Sequence, residues 1–177
     1  MALDEIPGSA TAYWAAELAK PDGEISRDDV LAGLLIEHRE LLALFAGYAQ
    51  TKLIPLRRVL LNLICKKTRL HYLVETGVFF AVLVDVPGTS RLLDQAGEGY
   101  ATAIPLLNEL IEPDNDPQLN DSLLAELRAV VERHIDLTEA AEGAFVFSRH
   151  ANIDWDGLAR KLIRRRMRLA GEAWQTS

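Results

Sequence analysis

The sequence predicts an all-α chain organised as an antiparallel up-down four-helix bundle with extra helical segments at both ends. Three observations carry that reading. Apolar residues recur at helical spacing along nearly the whole chain. The connections between the long periodic segments are short enough to join antiparallel neighbours, and no internal repeat or low-complexity tract suggests another architecture. Of the 177 residues, 49% are apolar, which suffices for one core and one folding unit.

Residues 1–25 read as an N-terminal extension with a short helix inside "SATAYWAAELA", closed by a turn at Pro21, Asp22 and Gly23. The bundle is expected over 26–150. Its first helix opens at Ser26, an N-cap residue followed by Asp28 and Asp29, which suit the free amides of a helix start. The apolar stripe runs Leu31, Leu34, Leu35, Leu41, Leu42, Phe45, Tyr48, and His38 occupies its middle, so His38 points inward. A second helix is expected from about Pro55 to Val84 on the stripe Leu56, Leu60, Leu63, Ile64, Leu70, Val74, Val78, Val82. His71 and Glu75 share that line at a spacing of four residues, which places them on one helix face.

The third helix spans about Ser90 to Ile111, with Tyr100 in mid-stripe and Pro105 expected to kink it beside that tyrosine. "EPDNDPQLND" reads as a long polar loop. The fourth helix is expected from Ser122 to Arg149, its stripe of Leu123, Leu127, Val130, Val131, Leu137, Ala141 and Phe145 interrupted by His134. His150 follows it and reads as exposed. Residues 151–177 form a last helix, apolar at Leu158, Leu162, Ile163 and Leu169 and densely basic on the other side.

The formal charge of −7 repels phosphate backbones and argues against nucleic acid as a partner. Cys65 is the only cysteine, so no intrachain disulfide and no thiolate metal site is expected, and a reducing, cytoplasmic setting fits. The start of the chain does not read as an export signal. The longest apolar run, "GVFFAVLV", is far short of the roughly 20 residues that cross a bilayer, so no membrane partner is expected.

In a four-helix bundle, inward groups at mid-helix meet at one depth. His38, His71, Glu75, Tyr100 and His134 are such groups, and imidazoles with a carboxylate suit iron, zinc or manganese. A buried Glu75 needs compensating charge, and a metal ion, with iron first and another divalent ion second, supplies it.

"LIEHRELLALF", "HYLVETGVFF" and "HIDLTE" together resemble the hemerythrin-like family, or HHE cation-binding domains, over about Asp28 to Arg149. The resemblance implies a four-helix bundle with a non-haem di-iron centre, handling or sensing O2, NO or peroxide. It implies ligand roles for His38, for His71 with Glu75, and for His134 with Glu139; Glu142 is the other carboxylate considered for the last helix. Glu139 follows His134 by five residues, about 140° round a helix, so its assignment rests on the resemblance alone. Tyr100 stands where the family places a third-helix histidine, and a phenolate there would favour ferric iron. The alternative is a metal-free helical module whose basic last helix docks an acidic protein partner. A ferritin-like carboxylate oxidase ranks behind both, for want of a second Glu-x-x-His pair.

Overall fold

Helix starts in this chain follow local capping chemistry. The structure, a computed structural model, describes residues 9–19, 24–112, 115–149 and 151–174. Helix α1 (Ala10–Leu18) is capped by Ser9, whose hydroxyl accepts the Ala12 amide. Helix α2 (Arg27–Gln50) opens on a reciprocal box in which Ser26 Oγ accepts the Asp29 amide and the Asp29 carboxylate accepts the Ser26 amide. Helix α3 (Ile54–Val74) carries Pro55 in its first turn, where the missing amide costs nothing. Helices α4 (Ser90–Leu110), α5 (Pro117–Glu139), α6 (Ala144–Arg149) and α7 (Trp155–Trp174) complete an all-α chain with no strand among the described residues. None of the described helices is long and apolar enough to cross a membrane.

Several expected boundaries differ. The second long helix does not continue as α-helix to Val84: from Glu75 to Phe79 it widens into a π-helical turn, then tightens into a 3-10 turn over Phe80–Val82. Thr76 Oγ1 donates to the Tyr72 carbonyl at 2.5 Å, competing with the regular ladder, and Gly77 weakens the α form further. The "EPDNDPQLND" segment is not loop throughout. The Asp116 carboxylate caps the Gln118 and Leu119 amides at 2.8 Å and starts α5 at Pro117. The helix expected to reach Arg149 instead breaks over 140–143 between α5 and α6. Gly143 turns so tightly there that a Cβ would stand 2.6 Å from the Thr138 carbonyl oxygen. Helix α4 runs on through an exposed Pro105 to Leu110. On α3, Leu56 is 43% exposed, and the buried face is Leu61, Ile64, Cys65, Thr68, His71, Tyr72 and Val74, so Ile64 and Val74 of the expected stripe face inward and Leu56 does not. The turn expected at Pro21–Gly23 and the exposure expected of His150 lie outside the described residues.

Packing closes a ring: α2 touches α3, α3 touches α4, α4 touches α5, and α5 returns to α2. Residue numbers rise along α2 as they fall along α3, since Glu37 meets His71 and Glu40 meets Lys67. Helices α1 and α7 cover the α2–α3 side, and α7 also lies against the π-helical turn. Gly33 makes the docking of α1 possible: an added Cβ would sit 2.2 Å from Trp14 Cζ2, so only a bare backbone lets the indole lie flat there.

The core consists of two apolar clusters. One gathers Trp14, Ile25, Leu34, Phe79, Leu83, Phe145 and Leu162; the other gathers Leu41, Phe45, Ile64, Tyr72, Leu107, Leu127 and Val131. Each of these large side chains contributes roughly 1.5–3 kcal/mol by leaving water. His38 lies between Leu34 of one cluster and Leu41 of the other, so the histidines form a polar layer between two greasy ones.

Candidate metal centre

Three helices and the start of the π-helical turn deliver one side chain each to a single point. His38 comes from α2, His71 from α3, Glu75 from the first residue of the π turn and His134 from α5, and all four are buried. The Nε2 atoms of His38 and His71 lie 3.1 Å apart, and those of His71 and His134 lie 3.2 Å apart. Glu75 Oε2 stands 2.6 Å from His134 Nε2 and 3.3 Å from His71 Nε2. Three of these separations, 3.1, 3.2 and 3.3 Å, are near the edge of a tetrahedral shell, about 3.3 Å for bonds of roughly 2.0–2.1 Å, and the four ligand atoms together lie within 4.8 Å of one another. The π-helical turn starts at the carboxylate that enters this layer, a placement frequent at functional sites.

Hydrogen bonding on the far side of the rings sets their tautomers. His38 Nδ1 donates to Glu139 Oε1 at 2.7 Å, and His71 Nδ1 donates to Glu37 Oε2 at 2.8 Å. A neutral imidazole that donates from Nδ1 presents a lone pair at Nε2. With both rings neutral, the Nε2 lone pairs of His38 and His71 would face each other at 3.1 Å, which is repulsive; a proton on His71 or a cation among them relieves it. Both oxygens of Glu75 are buried without hydrogen-bond partners among the described residues, because the short approaches to His71 and His134 lack hydrogen-bond geometry. His134 Nδ1 is likewise without a hydrogen-bond partner. The donor set, three imidazoles and one buried carboxylate, fits a divalent cation, and this buried group could hold a metal ion.

The electrostatics are those of a tightly packed charged layer. Burial alone would raise the Glu75 carboxyl, but the adjacent His134 and His71 reverse this and hold it well below the usual carboxylate range. Burial opposes charge on His71 too, yet Glu75 and Glu37 prevail and push the imidazole up to about 9. Burial lowers His38 in spite of its bond to Glu139. Glu37 is also held far below the carboxylate range, burial being outweighed by the Arg166 guanidinium and by His71.

Of the residues singled out from sequence, His38, His71, Glu75 and His134 meet. Tyr100 and Glu139 stand outside that group. The half-buried Tyr100 ring lies 6.0 Å from the Tyr72 ring, and it is Tyr72 that packs on His134, at 4.8 Å. Glu139 braces the back of His38 and accepts from Arg39 as well. Glu142 is exposed in the break after α5.

Two residues of the site went unnoticed in the sequence. Tyr72 follows His71 directly and is fully buried, its hydroxyl without a hydrogen-bond partner among the described residues. Glu37 precedes His38 and accepts from three elements: Trp14 Nε1 of α1 at 2.8 Å, Arg166 Nε of α7 at 2.5 Å and His71 of α3. The available signal was general: a buried metal-binding histidine needs an acceptor at its second nitrogen, and a neighbouring glutamate is a candidate.

Compared with protein-family models, with curated proteins and with solved structures, the chain has no match.

Proposed function

We propose that this chain is a hemerythrin-like non-haem iron protein that binds or senses O2, NO or peroxide. Its iron would be held by His38, His71, His134 and Glu75. The observation that supports this reading is the convergence of three imidazoles and one buried carboxylate whose ligand atoms lie within 4.8 Å of one another. The ring of contacts among α2, α3, α4 and α5 is compatible with the up-down four-helix bundle that the resemblance implies. Bound iron would supply a redox-active cation with coordination positions to spare, while the protein excludes bulk water with the apolar clusters on either side. Glu37 and Glu139 would orient the rings of His71 and His38 and raise their donor strength. The family resemblance implies two irons; four donor atoms within 4.8 Å of one another support one ion at this point.

A metal-free reading has one observation of its own. A protonated His71, with its titration raised to about 9, balances Glu75 while Arg166 balances Glu37, and would make the layer a purely structural ion-pair network, leaving the chain an interaction module that presents basic α7 to an acidic partner. Anaerobic loading of untagged protein with Fe(II), followed by metal analysis and optical spectra in air and with NO, separates the two. Iron bound at about one equivalent and lost in His71→Ala and His134→Ala supports the iron protein, two equivalents revive the di-iron centre, and none supports the module.

A further inference from the structure

The arginines of α7 are not all matched by carboxylates. Arg160 pairs with Asp156 one turn back, and Arg166 reaches inward to Glu37. Among the described residues no ion pair engages Lys161, Arg164 or Arg165. Together with Arg168 these three line a cleft of about 680 Å³ between α7 and the segment that follows α3. Positions 161, 164, 165 and 168 fall on one helix face within about 10 Å along its axis, where like charges repel one another. Among the described residues no acidic side chain lines the cleft.

The opposite wall carries no charge. It consists of Gly77 and Val78 from the π-helical turn and Ala81 and Val82 from the 3-10 turn. At Gly77 an added Cβ would meet nothing within 4 Å, so the wall leaves room there. The volume lies within the roughly 300–1,000 Å³ of sites that take small-molecule ligands. In a chain of net charge −7, four cations around one concavity attract a compact anion, whereas a nucleic-acid strand or an anionic bilayer also meets the acidic remainder of the surface. Three of the four cations are arginines, whose planar forks match pairs of phosphate oxygens.

We propose that this cleft binds a compact organic polyphosphate, its phosphates on Lys161, Arg164, Arg165 and Arg168 and its apolar part against Val78, Ala81 and Val82. The phosphates relieve the mutual repulsion of the α7 cations, and the uncharged wall takes a ring or chain out of water. Neither half involves the histidine layer.

The test uses the full chain, freed of metal with a chelator, and magnesium-free ATP as the probe. Its outcome is thereby independent of whether His71 holds an ion. Calorimetric titration at low ionic strength is expected to show one site, with ATP bound at least about tenfold tighter than adenosine and more weakly as salt is added. The double variant Arg164→Gln, Arg165→Gln removes two like charges that are not buried; it should melt no lower than the parent and bind ATP at least about tenfold more weakly. Ala81→Trp fills the cleft from the exposed, uncharged wall and leaves every cation in place; it too should weaken ATP at least about tenfold. ATP bound no tighter than adenosine, ATP bound equally by either variant, or no binding up to about 1 mM would each overturn the proposal, as would an oligoglutamate peptide bound more tightly than ATP, which would make the cleft a protein-docking surface.

Discussion

Replacing Glu37 with glutamine tests the logic of the site without touching any atom that faces the ion. The amide oxygen can still accept from Trp14 or Arg166, but the opposite end becomes an NH2 that cannot accept from His71 Nδ1. His71 then gains nothing by keeping its proton on Nδ1, the tautomer with the proton on Nε2 is favoured, and the lone pair turns away from the metal position. Loss of such a supporting carboxylate costs about 10–100-fold in metal affinity, or about 1.4–2.8 kcal/mol. The same substitution strands the Arg166 charge in a site 9% exposed, and breaking a buried pair from one side costs about 3–5 kcal/mol. For a chain of this length that corresponds to a fall in Tm of about 6–20 °C. Competition with a chromophoric chelator for Zn(II) or Co(II) measures the first effect, and calorimetric melting of the metal-free chain measures the second. If Glu37→Gln lowers Tm but binds metal as tightly as the parent, Glu37 is a structural partner of Arg166 alone and the tautomer argument fails.

Three further outcomes are expected. Gly33→Ala should push the Trp14 indole off α2, since the new Cβ would otherwise lie 2.2 Å from it; a loss of about 1–3 kcal/mol in chemical unfolding is expected, and an unchanged midpoint would contradict the packing described. In the metal-free chain, His71 is raised above its ordinary 6.5, so its stabilising effect is complete below that value and disappears as pH rises through about 9. Glu75 and Glu37 are depressed, so theirs is complete above about 4.5 and disappears in acid. Metal must displace the His71 proton, so Zn(II) affinity should strengthen by about tenfold per pH unit from 6.5 to 9; a flat profile would remove His71 from the ligand set. Burial pushes the Cys65 thiol up to about 11, leaving about one thiolate in a thousand at pH 8. Alkylation of the native chain should be negligible there and complete after denaturation, and prompt reaction of folded protein would show Cys65 to be exposed.

Helical periodicity and capping residues made most of the architecture legible. Ser26 with Asp29 starts α2, and Leu31, Leu34, Leu41 and Phe45 face inward, because both signals act over a few residues and need no distant partner. The inward placement of His38, His71, Glu75 and His134 was legible for the same reason, each lying on an apolar stripe. What defeated the sequence was competition between near-equal local forms. The widening of α3 at Glu75 and the break before Gly143 depend on Thr76 and Thr138 hydroxyls bonding to backbone carbonyls, a choice worth little locally and decided by what packs around it.

The sequence alone determined the helical class and the residues that turn inward, because hydrophobic periodicity is a property of each segment by itself. Only the tertiary structure decided that Tyr100 stands aside while Tyr72 packs on His134, that Glu139 braces His38 from behind, and that Glu37 ties α1 and α7 to His71. Those outcomes depend on the rotation of one helix against another and on a glutamate that meets its partners only after four elements have docked. Distances between residues 14, 37, 71 and 166 are set by packing, and no spacing along the chain encodes them.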